Sequence, residues 1–399
     1  MLAMLTRRLS LPARSFLLLG PRGVGKTTWL AQVLPSARRY NLLLDRELLR
    51  LMQEPGLFRK EIEALPSRSW IVVDEVQKLP ALLNDVHDAL TSSPRRWRFA
   101  LTGSSARRLR RGDVNLLAGR VISREMYPLT VAELRSEPPV DDLLRFGGLP
   151  LVRGELSTSA RIDLLEAYVG TYLIQEIRAE ALVRSLESFT RFLEVAALAN
   201  AQVANVASLA RDAAVARPTI QGYFEVLTDT LVGSWLPAWR PRAKVKEAAH
   251  PKFYLFDCGV VRALSRRLRE PLEGTERGAL LETLIFQELR AQIAYSNCGG
   301  SLSYFRTPSG TEVDFVWTRG RFAVGIEVKA SARWRQEYTR ALLDLHGTGA
   351  LTSVYGVYLG DVPLHEGAVR VLPLHAFLKE LCAGRVLTSS KRKPRMCAT

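Results

Sequence analysis

The sequence predicts an α/β protein with a parallel β-sheet core, a helical middle region and a smaller second α/β unit. Four short apolar runs, separated by helical patterns, predict the core: "SFLLLG" (15–20), "YNLLLD" (40–45), "WIVVDE" (70–75) and "WRFALTG" (97–103). Strands that alternate with helices imply crossover connections and therefore parallel pairing. The pattern is helical from about residue 129 to 229, and strand-like runs return after residue 250.

The composition is that of a globular chain with more than one core. Of its 399 residues, 47% are hydrophobic and 24% charged, so two or three domains are expected. No apolar run approaches the length of a transmembrane helix, and the first twenty residues do not resemble a signal peptide. We therefore expect a cytoplasmic protein without a membrane partner. The cysteine and histidine spacings predict neither a zinc site nor a disulfide framework.

The net charge of +16 and the pI of about 10.0 favour a polyanionic partner, most simply DNA. An arginine-rich proteome would produce the same excess without any such partner. Charge alone does not decide between these two explanations.

The stretch "GPRGVGKTT" (20–28) has the spacing G-x-x-x-x-G-K-[ST] and lies between a predicted strand and a predicted helix. Its glycines let backbone N–H groups turn inward around phosphates, Lys26 reaches the β- and γ-phosphates, and Thr27 binds Mg²⁺. We expect ATP and Mg²⁺ as cofactors. The residues predicted to hold the nucleotide are Gly20, Pro21, Arg22, Gly23, Val24, Gly25, Lys26, Thr27 and Thr28.

The run "WIVVDE" supplies the acidic partners of this loop. Four apolar residues carry Asp74 to the end of a strand, where its carboxylate would complete the Mg²⁺ shell. Glu75 follows and is placed to polarise the attacking water, which predicts ATP hydrolysis.

The next strand ends in the polar stretch "LTGSS" (101–105). Thr102, Ser104 or Ser105 would lie beside the γ-phosphate as a sensor, unless the stretch is a plain polar strand end; Ser104 is our nucleotide-binding candidate. Arg120 in "LAGR" is the preferred arginine finger, which would complete the site of a neighbouring subunit in a homo-oligomer. A solvated helical face or a phosphate-contact patch would also explain the arginines of this region.

Several of these motifs occur in one order: "GPRGVGKTT", "VVDEVQKLP", "LTGSSARRL", "LAGRV", "YPLT" and "GGLP". In this order the chain resembles the prokaryotic AAA-type ATPases that carry a C-terminal domain of unknown function, over nearly its whole length. The resemblance implies a RecA-like core whose sensor strand lies between the phosphate-loop strand and the Asp74 strand. It also implies that Gly147 to Pro150 belong to a lid near the adenine, which makes Pro150 a nucleotide-binding candidate.

Residues 202–239 predict a helix, a turn, a second helix and a strand pair, which is typical of a winged helix. Pro218 suits the first turn of the second helix. The start of that helix carries Arg217, Thr219, Gln221 and Tyr223, which suit contact with DNA. A hinge or a protein contact is the alternative role.

The stretch "EVDFVWTRGRFAVGIEVKAS" (312–331) predicts a hairpin with acidic residues on one face. Side chains alternate along a strand, so Glu327 and Lys329 share a face. A two-residue turn at Arg319–Gly320 would set Asp314 opposite Gly325, one diagonal step from Glu327 on that same face. Two carboxylates can hold a second Mg²⁺ or Mn²⁺, while the lysine positions water or offsets charge on a scissile phosphate.

Upstream of this hairpin, Glu282 lies among apolar residues of a predicted helix, where a carboxylate needs a partner. The order Glu, Asp, Glu-x-Lys resembles the PD-(D/E)xK nucleases in the arrangement of archaeal Holliday-junction resolvases. The resemblance implies a restriction-endonuclease-like fold in which Glu282, Asp314, Glu327 and Lys329 are catalytic and branched DNA is a substrate. Pro308 stands apart from Asp314, so the Pro-Asp pair of that pattern is absent.

The predicted order is a P-loop core (1–128), a helical lid (129–184), a winged helix (185–245), a nuclease-like domain (246–388) and a basic disordered tail (389–399). This organisation predicts an AAA-type ATPase that acts on DNA through its C-terminal domain. The alternative is a nucleotide-switched regulatory or scaffold ATPase whose nuclease-like domain is inactive.

Overall fold

The computed structural model describes residues 6–104, 117, 119–173, 185–240, 250–308 and 310–388. The predicted basic tail and the sensor candidate Ser105 lie outside these residues. Within them, every helix is too short or too polar to cross a lipid bilayer.

The first sheet is parallel throughout, as the alternation of strands and helices predicted. Its strands in chain order are β1 (Phe16–Leu19), β2 (Arg38–Asn41), β3 (Ser69–Asp74), β4 (Trp97–Gly103) and β5 (Ile122–Glu125). In space the order is β2-β3-β4-β1-β5. The predicted sensor strand β4 therefore does lie between the phosphate-loop strand β1 and the Asp74 strand β3.

Helices cover both faces of this sheet because its strands are apolar on both sides. They are α1 (Lys26–Val33), α2 (Asp45–Gln53), α3 (Leu57–Glu63) and α4 (Leu82–Ser92). One core cluster, which includes Tyr40, Ile71 and Phe99, fills one face. The opposite face, with Phe16 and Leu18, belongs to a larger core that continues into the rest of the chain.

The middle region is mainly helical. It contains α5 (Val140–Phe146), α6 (Pro150–Arg153), α7 (Thr158–Ala167), a π-helical turn (Tyr168–Leu173), α8 (Leu186–Leu198), α9 (Val206–Asp212) and α10 (Arg217–Asp229). An antiparallel pair follows, formed by β6 (Gly233–Leu236) and β7 (Lys252–Leu255). The boundary predicted after residue 245 falls between these paired strands.

The helix pair and strand pair have the order expected of a winged helix, and that assignment stays a prediction. Arg217, Thr219 and Gln221 are exposed at the start of α10. Tyr223 is buried, with its ring centroid 4.8 Å from that of Phe189, so it belongs to the core and cannot be a DNA contact.

The C-terminal unit contains a six-stranded mixed sheet in the order β12-β13-β11-β10-β9-β8. Its strands are β8 (Ser301–Arg306), β9 (Glu312–Arg319), β10 (Phe322–Lys329), β11 (Ser353–Tyr358), β12 (Leu364–Glu366) and β13 (Val369–Pro373). The helices after β7 are α11 (Cys258–Leu264), α12 (Gly274–Ser296), α13 (Arg340–Gly347) and α14 (Leu374–Cys382). A separate α/β sheet domain was predicted here and is confirmed.

The long helix α12 ties the C-terminal unit to the chain that follows the first sheet. Its Glu288 carboxylate accepts a hydrogen bond of 2.6 Å from the Val131 N–H, and its Gln292 accepts one of 2.7 Å from the Arg8 guanidinium. Burial raises the pKa of Glu288 to about 7. The segment before β1 and the segment after β5 are thus packed against α12 rather than joined to it only by linkers.

Candidate nucleotide-binding site and C-terminal carboxylate cluster

The phosphate loop lies between β1 and α1, in the predicted context. Gly25 has φ 94°, a left-handed conformation that favours glycine and turns the chain into the helix. A Cβ atom at Gly20 would lie 2.4 Å from the Met126 carbonyl oxygen, so only glycine fits where the loop leaves the sheet. These two positions account for the first and second glycines of the motif.

The Lys26 side chain is buried at the base of this loop, although lysine is seldom buried without partners. Its ammonium donates hydrogen bonds to the carbonyl oxygens of Gly20 (2.8 Å) and Pro21 (3.2 Å). It also lies 3.9 Å from a Glu75 carboxylate oxygen. The positive charge is therefore held under the loop, where it can meet bound phosphates.

Asp74 and Thr27 meet beside the loop, as predicted for a pair that shares a metal ion. The Thr27 hydroxyl donates to Asp74 Oδ2 at 2.6 Å, and Thr102 donates to the other carboxylate oxygen. A hydroxyl and one carboxylate suit Mg²⁺, which takes oxygen ligands and completes its octahedron with phosphates and water. Thr27 and Asp74 would hold the ion, and bound Mg²⁺ would offset charge on the phosphates.

Glu75 lies next to Asp74 and Thr27. Its backbone conformation and two polar neighbours hold its carboxylate in place. Its φ is 57°, a left-handed conformation that a glutamate adopts only when its surroundings hold it there. Ser104 donates to Glu75 Oε2 at 3.0 Å, and the Gln77 amide donates to the same oxygen. Ser104 thus contacts the Glu75 carboxylate, whereas Thr102 contacts the Asp74 carboxylate and accepts from the Glu75 backbone N–H at 2.9 Å.

Residues of the predicted lid rest on the outside of the phosphate loop. A Cβ atom at Gly25 would lie 3.7 Å from Pro150 Cγ, and the Tyr168 hydroxyl donates to the Arg22 carbonyl oxygen at 2.9 Å. On the other side of the lid, the Gly148 N–H donates to the buried Asp257 carboxylate at 2.6 Å. Burial raises the pKa of Asp257 to about 6, although this hydrogen bond opposes the rise.

Arg120, the predicted arginine finger, is exposed just before β5. Since all five strands are parallel, this position is at the amino edge of the sheet, whereas the phosphate loop is at the carboxyl edge. Arg120 is therefore remote from the nucleotide site of its own chain. A role at a neighbouring subunit stays a prediction.

The C-terminal hairpin differs from its predicted register by one residue in the turn. Arg319 pairs with Phe322, so the turn is Gly320–Arg321 rather than Arg319–Gly320. Continuing this register sets Asp314 opposite Glu327, not opposite Gly325. The predicted shared face is nevertheless correct, because moving the turn by one residue changes the pairing by two and preserves the alternation.

Asp314 and Glu327 are both buried, and Lys329 lies beside them. The Lys329 ammonium donates to Glu327 and lies 3.8 Å from Asp314 Oδ2, while the Val328 N–H donates to that same oxygen at 2.8 Å. The charged pattern of the hairpin predicts the side chains of Asp314 and Lys329 at a polar rim, and this prediction is wrong for Asp314, whose residue is only 4% exposed.

Glu282 joins this cluster through two partners that were not among the predicted site residues, Lys252 and Tyr254. The Tyr254 hydroxyl donates to Glu282 Oε2 at 3.0 Å, and the Lys252 ammonium lies 3.2 Å from the same oxygen. Lys252 is buried, and it also lies 2.6 Å from Glu312 and 3.7 Å from Asp314. One lysine ammonium thus lies within 4 Å of three carboxylates.

Burial and the crowding of carboxylates shift the pKa values of several groups in this cluster. Burial and then the Asp314 charge raise the pKa of Glu282 to about 7, and the same two causes raise the pKa of Glu327 well above its ordinary range. Burial lowers the pKa of Lys252, but Glu282 and its acidic neighbours outweigh burial and keep this lysine charged. Within the described ranges, no three His, Cys, Asp or Glu side chains are arranged to hold a metal ion.

Residues 13–135 match the AAA domain family. The first domain is an AAA-type P-loop ATPase domain. Residues 138–270 match a domain of unknown function (DUF8612), and residues 277–377 match another (DUF4143). The family of the C-terminal unit therefore assigns it no activity.

Two mycobacterial proteins are similar to this chain over most of its length. Uncharacterized proteins of Mycobacterium bovis (Mb2031c) and Mycobacterium tuberculosis (Rv2008c) are each 29% identical over 363 residues, which is 89% of this chain and 79% of theirs. Neither name states a function.

Two solved structures show weak similarity. The ORC2 protein of Aeropyrum pernix in its ADP form is 12% identical with a TM-score of 0.30, over 64% of this chain and 88% of that one. Protein VC1899 of Vibrio cholerae is 12% identical with a TM-score of 0.22, over 94% and 98% of the two chains. TM-scores this low do not establish a shared overall fold.

Proposed function

We propose that this chain is an ATP-hydrolysing switch, in which the nucleotide state of the first domain is passed to the C-terminal unit. Lys26 would grip the phosphates, Thr27 and Asp74 would hold Mg²⁺, and Glu75 would polarise the attacking water. The hydrogen bond from Ser104 supports this role of Glu75, because it orients the carboxylate beside Asp74 without neutralising it.

The observation that supports the switch is the position of the lid segment 147–150, which contacts both the phosphate loop and Asp257. Pro150 lies against the phosphate loop at Gly25, and Gly148 donates to Asp257 two residues after β7. A Cβ atom at Gly147 would lie 1.9 Å from the Asp257 carboxylate, so this contact has no free space. A lid that moves with the nucleotide would therefore pull on Asp257.

Asp257 and β7 would transmit a movement of the lid to α11 and to the carboxylate cluster. Asp257 caps α11 by accepting from the Val260 N–H at 3.1 Å, and β7 places Lys252 and Tyr254 in the carboxylate cluster. One short segment, residues 252–260, is thus bound at one end to the nucleotide lid and at the other to the C-terminal unit. The alternative foreseen from the sequence, a nucleotide-switched regulatory ATPase, fits this arrangement best.

The switch predicts that ATP with Mg²⁺ slows amide hydrogen exchange in residues 252–264 as well as in the phosphate loop. The measurement uses Glu75→Gln to prolong the ATP-bound state. In Asp257→Ala the protection of residues 252–264 should disappear while that of the phosphate loop remains. If ATP protects only the phosphate loop in the Glu75→Gln protein with Asp257 intact, the result contradicts the switch.

A second candidate function is metal-dependent DNA cleavage by the C-terminal cluster. The convergence of Glu282, Asp314, Glu327 and Lys329 on one site favours it, because these residue types support phosphodiester hydrolysis. Lys252 opposes it, since its ammonium already pairs with carboxylates that would otherwise be free to bind Mg²⁺ or Mn²⁺.

Cleavage is tested with linear and branched DNA in the presence of Mg²⁺ or Mn²⁺. If the candidate is correct, a chelator stops the reaction, Asp314→Asn loses both metal binding and cleavage, and Lys329→Ala loses cleavage alone. A wild type that leaves every substrate intact with both metals removes this candidate and leaves the switch unaffected.

A further inference from the structure

The amino edge of the first sheet, opposite the phosphate loop, carries a row of arginines. Arg14 precedes β1, Arg68 precedes β3, Arg95 and Arg96 precede β4, and Arg120 precedes β5. Arg98 lies just inside β4. We call these six residues the basic edge: Arg14, Arg68, Arg95, Arg96, Arg98 and Arg120.

The parallel register brings these residues together although they are far apart in the sequence. Phe16 pairs with both Ala100 and Ile122, so Arg14, Arg98 and Arg120 lie at one level across three neighbouring strands. Ser69 pairs with Trp97, and the Arg68 N–H donates to the Arg96 carbonyl oxygen, so these two arginines are also neighbours. Adjacent strands are about 4.8 Å apart, so a row across four strands spans about 14 Å.

No carboxylate of the described residues offsets the charge of the basic edge. Among the described residues, none of the six arginines has a carboxylate within 4.0 Å, whereas Arg38, Arg50 and Arg59 of the same domain are all paired with acids. The segments that hold the six, 11–15, 64–69, 91–98 and 119–124, contain no Asp or Glu. Arg14, Arg68, Arg95, Arg96 and Arg120 are exposed.

Two members of the row are held in place by aromatic rings. The Arg96 guanidinium lies 4.3 Å from the ring centroid of Trp97, and that of Arg98 lies 4.7 Å from the centroid of Trp70. The Arg98 side chain also donates to the Arg68 carbonyl oxygen at 2.9 Å. The Arg96 side chain likewise donates to the Glu63 carbonyl oxygen at 3.0 Å. Such contacts lower the conformational entropy that a ligand must remove, and they leave the remaining guanidinium N–H donors available to phosphate oxygens.

We infer that the basic edge is a docking surface for the phosphate backbone of double-stranded DNA. Phosphates of one strand follow each other about every 3.4 Å along the duplex axis, so a row of about 14 Å faces about four of them. This assignment goes beyond the proposed switch and does not depend on ATP hydrolysis.

The residues around the row favour a duplex over other polyanions. Single strands bind by stacking bases on exposed aromatic rings, but Trp97 is 2% exposed and Arg98 covers Trp70. An anionic membrane would need apolar side chains for insertion, and of the large apolar residues exposed in the described structure only Leu11 lies in these segments.

The test compares two variants with the same net charge. In the first, Arg14, Arg68, Arg95 and Arg96 of the basic edge are changed to Gln; Arg120 is left intact because it is the arginine-finger candidate. The control changes four exposed arginines elsewhere to Gln: Arg191, Arg266, Arg269 and Arg335. Binding of a fluorescein-labelled 24-base-pair duplex is followed by anisotropy between about 50 and 300 mM NaCl.

The basic-edge variant should bind at least about tenfold more weakly at 100 mM NaCl, and its slope of log K against log salt should fall by about 3 to 4. The control should change less than about threefold, and Lys26→Ala should bind like the wild type. Equal weakening by both quadruple variants, wild-type affinity in the basic-edge variant, or tighter binding to single strands or anionic vesicles than to the duplex would overturn the assignment. If the quadruple variant does not fold, the double variant Arg14→Gln/Arg68→Gln should still lower the slope by about 1 to 2. An unchanged slope in the double variant would likewise overturn the assignment.

Discussion

Glu75→Gln is expected to bind ATP like the wild type and to hydrolyse it at least about 100-fold more slowly, since a positioned general base contributes about 10² to 10⁴ in rate. The carboxylate lies at the end of β3, accepts from Ser104 and Gln77, and is 3.9 Å from the Lys26 ammonium. Gln keeps the shape and one acceptor oxygen but cannot take a proton from water. Steady-state phosphate release measures the turnover, and equilibrium binding of a labelled ATP analogue measures the affinity.

The matched control for this result is Lys26→Ala, which should lose tight nucleotide binding itself. Its ammonium is buried below the loop and is held there by the carbonyl oxygens of Gly20 and Pro21. The two variants therefore separate the grip on the phosphates from the activation of water. Unchanged turnover in Glu75→Gln would assign the catalytic base to another residue.

The phosphate site could be predicted because most of its parts are close in the sequence. Nine consecutive residues build the loop, and one apolar strand carries Asp74 and Glu75 to the same edge of the sheet. The roles of Thr102 and Ser104 were less accessible. Both lie at the end of the same strand, and only the side-chain contacts show that Thr102 bonds the Asp74 carboxylate and Ser104 the Glu75 carboxylate.

The contacts around the lid could not be predicted, because they join residues 146 and 109 positions apart in the sequence. Tyr168 reaches the Arg22 carbonyl oxygen, and Asp257 reaches the Gly148 N–H. A tyrosine in a helix and an aspartate before a helix have ordinary local roles, the latter as an N-cap. Nothing in their immediate sequence distinguishes these residues from others of the same type.

The C-terminal cluster could be predicted in part, less completely than the phosphate loop but better than the lid contacts. The alternation of charged and apolar residues correctly placed Asp314, Glu327 and Lys329 on one face, and by the same logic it could have included Glu312. In "KFYL" (252–255) the same alternation puts Lys252 and Tyr254 on one face of β7. A lysine at the start of an apolar strand is a signal of a buried partner, but the sequence does not show that the partner is the cluster.

Lys252→Met should be the most destabilising of the substitutions considered at this cluster, with a loss of about 3 to 5 kcal/mol in the free energy of unfolding. The ammonium is buried and lies between Glu312 at 2.6 Å, Glu282 at 3.2 Å and Asp314 at 3.7 Å. Met preserves much of the side-chain volume, so the loss would come from uncompensated carboxylates rather than from a cavity. Thermal unfolding with and without divalent cations measures the effect.

The control is Lys60→Met, which removes an exposed lysine that lies 3.0 Å from Glu54 and should change stability by less than about 1 kcal/mol.

The response of Lys252→Met to Mn²⁺ then decides what the cluster is. If Mn²⁺ restores its unfolding temperature while barely affecting the wild type, the lysine occupies a cation position that a metal can take, and the nuclease interpretation gains a site. If Mn²⁺ has no effect and Glu312→Gln restores stability instead, the cluster is a structural ion pair network that serves the switch. A Lys252→Met protein as stable as the wild type would contradict the prediction and show that the three carboxylates do not depend on this charge.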